Sequence, residues 1–98
     1  MEGADDPLFS DEDMALLEIG SRHRETTLGR GTLVQRPDAL EIAGHSFPLR
    51  EIDSMAMVKA NILLFSVGDS YFEIRASASC CLRKYLLVWQ EFERKQGG

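Results

Sequence analysis

Along residues 77–95 apolar side chains return every three or four positions. Leu82, Tyr85, Leu86, Trp89 and Phe92 fall on one face of an α-helix, and Cys81 and Val88 widen the stripe. Arg83, Lys84, Gln90, Glu91 and Arg94 mostly take the other faces. Ser77 or Ser79 can cap the start, and Arg94 and Lys95 suit the negative end of the helix dipole. This pattern predicts a helix over about 78–95, roughly 25 Å long. Trp89, the only tryptophan, is expected in the core, packed on strand residues such as Leu64 and Phe72.

Between about 22 and 75 the period changes to two, with turn residues between short runs. Arg22–Leu28 and Thr32–Arg36 read as strands around a turn or bulge at Gly29-Arg-Gly31. Leu40-Glu-Ile42 alternates, Ala43-Gly44 turns, and His45–Leu49 alternates again with Phe47 and Leu49 inward; Pro48 marks an edge strand or a strand end. Ile52–Val58, Ile62–Ser66 and Tyr71–Arg75 follow, separated by Lys59-Ala-Asn61 and Gly68-Asp69. Ile62-Leu-Leu-Phe65 does not alternate, which predicts a central strand covered on both faces. Phe72 and Ile74 are expected on one face, with Tyr71, Glu73 and Arg75 on the other.

The N-terminal pattern predicts a short helix over about 10–19. Ser10 and Asp13 form a capping-box-like pair, and Asp11, Glu12 and Asp13 fill the first turn. Phe9 and Met14 stand as a hydrophobic staple, Met14 and Leu17 give an apolar side, and Gly20 is a natural stop. Residues 1–8 read as an acidic flexible tail. The expected class is therefore α+β, mainly β. Six or seven short antiparallel strands followed by one amphipathic helix is the plan of a pleckstrin-homology-like (PH-like) or GRAM-like domain, where the helix plugs a bent, barrel-like sheet.

Composition narrows this picture. Ninety-eight residues suffice for one core, here over 9–98. No apolar run approaches the roughly 20 residues of a membrane-spanning helix, and the acidic N-terminus is no signal peptide. The net charge of −5 is concentrated in that segment: residues 14–98 carry ten acidic and 11 basic side chains. Neither the clustered basic footprint of a nucleic-acid binder nor a broad membrane patch is visible. Cys80 and Cys81 cannot bond each other on a helix without severe distortion, and Cys81 is expected to be a small core residue. With only His23 and His45 besides, no zinc spacing exists, and no cofactor is expected.

Asp-Asp-Pro-Leu-Phe-Ser-Asp-Glu-Asp13, Gly31-Thr-Leu, Leu40-Glu-Ile-Ala-Gly-His-Ser-Phe-Pro-Leu-Arg-Glu-Ile52, Leu64-Phe-Ser-Val-Gly-Asp-Ser-Tyr-Phe-Glu-Ile-Arg75 and Leu82-Arg-Lys-Tyr-Leu-Leu-Val-Trp89 form a series. It resembles the C-terminal extension of bacterial 1-acyl-glycerol-3-phosphate acyltransferases, over most of residues 5–92. In that family the extension follows the catalytic domain, with a Tyr-Glu-Ile strand and an Arg-Lys-Tyr-Leu helix. The catalytic family motif is a His followed five residues later by an Asp; here Leu28 follows His23 and Arg50 follows His45 at that distance. The Glu-Gly-Thr-Arg phosphate motif is also absent. The resemblance therefore implies a non-catalytic accessory or docking module of a phospholipid-synthesis acyltransferase, and no catalytic residue carries over.

Other chemistry is sparse. His45 and Ser46 are strand neighbours and point to opposite faces, so they do not make a base and nucleophile. The alternative to docking is an independent PH/GRAM-like module that binds lipid headgroups or protein. Its candidate contacts are Arg22, Arg24, Arg30, Arg36 and Lys59, which are scattered among acids. The expected partner is a catalytic domain in cis or another protein, with weak lipid contact at most and no nucleic acid. The expected location is the cytoplasm, including the inner face of the membrane.

Overall fold

The chain opens on its longest backbone pairing. In the computed structural model, which describes residues 7–77 and 80–97, β1 (Phe9–Ile19) and β2 (Glu25–Gln35) are antiparallel strands of 11 residues each. After them come β3 (Ala39–Ile42), β4 (His45–Pro48), β5 (Ser54–Lys59), β6 (Ile62–Val67), β7 (Ser70–Arg75) and helix α1 (Arg83–Gly97). The strands form one sheet in the order β4-β3-β2-β1-β7-β6-β5. Every pairing is antiparallel. The architecture is mainly β with one C-terminal helix, as the sequence predicts.

The sheet is open yet strongly curled. Phe47 on β4 meets Phe65 on β6 and Phe72 on β7, with ring centroids 5.0 and 5.1 Å apart. Four strands separate β4 from β6 in the sheet order, so only curling brings these rings together. Met14, Leu16, Leu33, Leu40, Leu63, Phe65 and Ile74 fill the concave side. Helix α1 lies against β5 and the 3₁₀ turn Leu49–Glu51. The Leu82 amide donates to the Ala60 carbonyl at 2.8 Å, and the Trp89 indole donates to the Ile52 carbonyl at 3.2 Å.

Four expectations are corrected. Residues 10–19 are not a helix but the central strand β1, paired with β2 on one side and β7 on the other. Helical propensity in Met14–Ile19 is worth a few tenths of a kcal/mol per residue. Here two ladders of backbone hydrogen bonds and burial of Met14 and Leu16 outweigh it. Ile62–Val67 is therefore not central but second from the edge; Leu63 and Phe65 face the core, and on the other side Leu64 is half-buried and Ser66 buried. Of the turn or bulge expected at Gly29–Gly31, the bulge is what forms: β2 runs on through it, with a register shift where Leu16 pairs Gly29 and Leu17 pairs Thr27.

The third and fourth corrections concern the helix and the residues just before it. The fully buried residues here are Leu82, just before α1, and Tyr85 within it, whereas Trp89 is half-buried. Leu64 pairs with Glu73 and Phe65 with Phe72, so Leu64 and Phe72 lie on opposite faces and cannot both pack on Trp89. Cys80, not Cys81, packs on the core, and Cys81 is exposed. The edge position of β4 and the turn at Ala43-Gly44 are as expected. Of the expected tail, residues 1–6 lie outside the described residues, and the Leu8 amide already donates to Gln35 at 2.7 Å.

Candidate functional site

The five candidate cations do not converge. Arg30 is held by Asp13 at 3.0 Å and Arg36 by Glu41 at 2.9 Å, each across neighbouring strands or turns. Lys59 ends β5, and its register links it through Ile62 and Arg75 to Ala15 in mid-sheet. Only Arg22 and Arg24 come together, in the 3₁₀ turn Ser21–His23 and its end, where β1 passes into β2. Neither makes an ion pair among the described residues.

This turn overhangs hollows on both sides of the sheet, because Glu18 pairs with Phe72 and faces the concave side whereas Ile19 pairs with Tyr71 and faces the convex side. Arg22 sits at φ 60°, a left-handed conformation that costs a non-glycine residue about 1–2 kcal/mol. Three adjoining hollows of about 490, 400 and 340 Å³ share Gly20 in their walls. Arg22 and Arg24 line the first with Glu18, and Arg22 also lines the second, whose floor is Ile19, Leu64, Tyr71 and Glu73. Ile19 pairs with Tyr71, and Leu64 with Glu73, so all four side chains leave the sheet on its convex side. Tyr71 is 51% exposed. Beyond this floor the face is closed by charge. Arg75 bonds both Glu25 (2.6 Å) and Glu73 (2.8 Å), a bridge that crosses β1 near the buried Leu17. Those two carboxylates raise the Arg75 pKa above its already high ordinary value.

A second, apolar groove lies at the other end of the β1–β2 hairpin, roughly 30 Å away at about 3.3 Å per strand residue. Leu8, Pro37, Leu87, Val88 and Phe92 line it, with Glu91 and Lys95 at the rim. Leu8 and Leu87 are 51% and 50% exposed, two of the four large apolar side chains among the described residues that are most exposed to solvent.

Between groove and core sits a polar cluster that ties α1 to β1. The Tyr85 hydroxyl donates to Asp11 Oδ2 at 2.6 Å, and Lys84 Nζ reaches the same oxygen at 3.0 Å. Phe9 packs edge-on against the Tyr85 ring at 4.9 Å, with Lys84 over its own face at 4.8 Å. Burial pushes the Asp11 carboxyl up, but the bonds from Tyr85 and Lys84 outweigh it and hold it below the ordinary carboxylate range. Burial, then the Asp11 carboxylate, drives the Tyr85 phenol far up, so it stays a donor. Burial and then Asp11 also raise the Cys80 thiol, which keeps it protonated. The cluster is a structural tie rather than a reactive one.

His45 is exposed and stacked near Phe47, and Ser46 pairs with Glu41 on the neighbouring strand. Among the described residues no three His, Cys, Asp or Glu side chains are placed to hold a metal ion. No helix among them is long and apolar enough to cross a membrane. Comparison with models of known protein families and with curated protein sequences finds no match to this chain.

The sequence reading reached Arg22 and Arg24 but missed Ile19, Leu64 and Tyr71 beside them. One signal pointed there: the unbroken Ile62-Leu-Leu-Phe65 run carries an apolar residue on each face, and Leu64 is the one that faces away from the core. Leu8 and Leu87 had no such signal, because the groove joins segments nearly 80 residues apart.

Proposed function

We propose that this chain is a non-catalytic docking module of PH-like plan, the C-terminal accessory domain of a bacterial phospholipid-synthesis acyltransferase. The resemblance of its motifs to that extension supports the parent enzyme. The curled seven-stranded sheet with a C-terminal helix supports the plan. The observation that carries docking is the apolar groove where Leu8 and Leu87, each half-exposed, flank Pro37, Val88 and Phe92. A catalytic domain seated there would remove that surface from water, a gain of about 25 cal/mol per Å² before association costs.

Co-purification with the 1-acyl-glycerol-3-phosphate acyltransferase catalytic domain of the same organism tests the reading. The complex should persist at high salt, because apolar contact is little screened, and Leu87→Glu should dissolve it without unfolding the module. Absence of a complex, or one indifferent to Leu87→Glu, would sink the proposal. The alternative, an independent reader of lipid headgroups, rests on Arg22 and Arg24 alone. It requires salt-sensitive vesicle binding.

A further inference from the structure

We infer that the outer edge of β5 is a self-association surface, where a second copy of this chain adds its own β5 antiparallel and extends the sheet. β5 ends the strand order, and no strand pairs with its other side among the described residues. Natural edge strands are kept from pairing by shortness, proline or charge. The opposite edge has two of these devices, since β4 is four residues long and ends in Pro48. β5 runs for six residues, and Ser54-Met-Ala-Met-Val58 carries neither charge nor proline. Its bulge lies between Met57 and Lys59, so Ser54–Met57 keeps a regular register on β6.

The residues of this edge point to a second copy as the partner. Asp53-Ser-Met-Ala-Met-Val-Lys59 is close to a palindrome, with opposite charges at its two ends. Residues directly opposite in an antiparallel pair share a face, so a two-fold axis between copies passes through a residue. An axis at Ala56 sets Met55 against the partner's Met57 on the inner face, where both already pack on the core. Ala56, exposed on the outer face, then meets its own copy. Each Lys59 comes to the end that carries the other copy's Asp53, whose carboxylate accepts from the Gly68 amide. Arg50 and Glu51, just before Asp53, offset each other. Lys59 holds no ion pair of its own among the described residues. An axis at Met55 would instead set Asp53 against Met57, and one at Met57 would set Lys59 against Met55. None of these residues lines the groove beside Leu87, so self-association and docking are separate.

So short an edge makes a small, weak interface, so sedimentation equilibrium of the whole chain is run up to about 1 mM. The mass should rise from one chain toward two with concentration. Ala56→Lys and Ala56→Asp each set like charges against each other at the axis and should weaken the dimer at least about tenfold. An equimolar mixture of these two variants should associate at least as tightly as the parent, because opposite charges then meet. That rescue on mixing separates lost pairing from lost folding. Leu87→Glu should leave the dimer unchanged. A chain that stays monomeric, a dimer indifferent to Ala56→Lys, or variants that fail to associate on mixing would each overturn the proposal. A dimer broken by Leu87→Glu would overturn it too, by placing the second copy in the apolar groove.

Discussion

Asp11, Glu12 and Asp13 show how much one residue's meaning depends on its neighbours in space. In a helix they would serve the first turn. In β1 Asp11 instead accepts from Tyr85 and Lys84, and Asp13 sits at φ 66° in a bulge, bonded to Arg30. Aspartate is among the few residues that tolerate this left-handed region. Because Asp11 is held below its ordinary value of 3.8, its stabilising effect is present above that pH and fades as the pH falls through the lowered one. Asp11→Asn should therefore flatten the acid limb of a plot of unfolding midpoint against pH; an unchanged limb would show that Asp11 is not coupled to folding. Tyr85→Phe should cost about 1.5–3 kcal/mol, the range for a hydrogen bond to a charged group. Gly29 has a different constraint. A Cβ there would lie 2.7 Å from the Cβ of Ala43, itself at φ 52° in the β3–β4 turn. Gly29→Ala should cost about 1–3 kcal/mol by overpacking, and Ala43→Gly in the same chain should restore most of it. Denaturant unfolding of the two single variants and the pair decides this.

At the scale of elements, β1 and α1 depend on each other. The strand contributes the core residues Met14 and Leu16, and the helix closes over them with Leu82 and Tyr85. The helix is anchored at its start by the Leu82 amide and mid-way by the Trp89 indole. Trp89 being half-buried, Trp89→Ala should cost about 3 kcal/mol, the low end for a large aromatic. Trp89→Phe should cost about 1 kcal/mol, mainly the bond to Ile52. Native tryptophan emission should be blue-shifted relative to the unfolded chain; emission identical in both states would contradict this packing. The edge strands differ in protection. β4 is four residues long and ends in Pro48, which lacks an amide to donate, while β5 is longer and bulged between Met57 and Lys59.

At the scale of the molecule, charge is distributed rather than focused. Residues 14–98 are close to neutral, and Arg30, Arg36, Arg75 and Arg94, half of the eight arginines, are held in internal pairs. The remaining cations should give only weak attraction to a bilayer, at about 1 kcal/mol per residue near an anionic surface. In vesicle sedimentation at physiological salt, binding to phosphatidate-containing liposomes should barely exceed binding to neutral ones. Tight binding that salt reverses would favour the headgroup reader over the docking module. The long β1–β2 hairpin sets the molecule's functional geometry. It holds the apolar groove at one end and the Arg22–Tyr71 hollow at the other.

The sequence by itself determined the amphipathic helix, the short strands before it in period two, the Ala43-Gly44 and Gly68-Asp69 turns and the edge position of β4. Each rests on local rules: side-chain period, a glycine's freedom, a missing proline amide. Only the tertiary structure decided that Phe9–Ile19 is the central strand. Met14, Leu16, Leu17 and Ile19 satisfy a helical stripe and a two-faced strand alike, and the choice lies with β2 and β7, which supply hydrogen bonds to both edges. The same holds for both candidate surfaces. Arg22 could be picked out as a cation, but its neighbours Leu64 and Tyr71 arrive more than 40 residues later. The groove likewise needs Leu8 and Leu87 from opposite ends of the chain. Local pattern fixes which way a side chain leaves its own backbone; what it meets there is fixed by which strands pair.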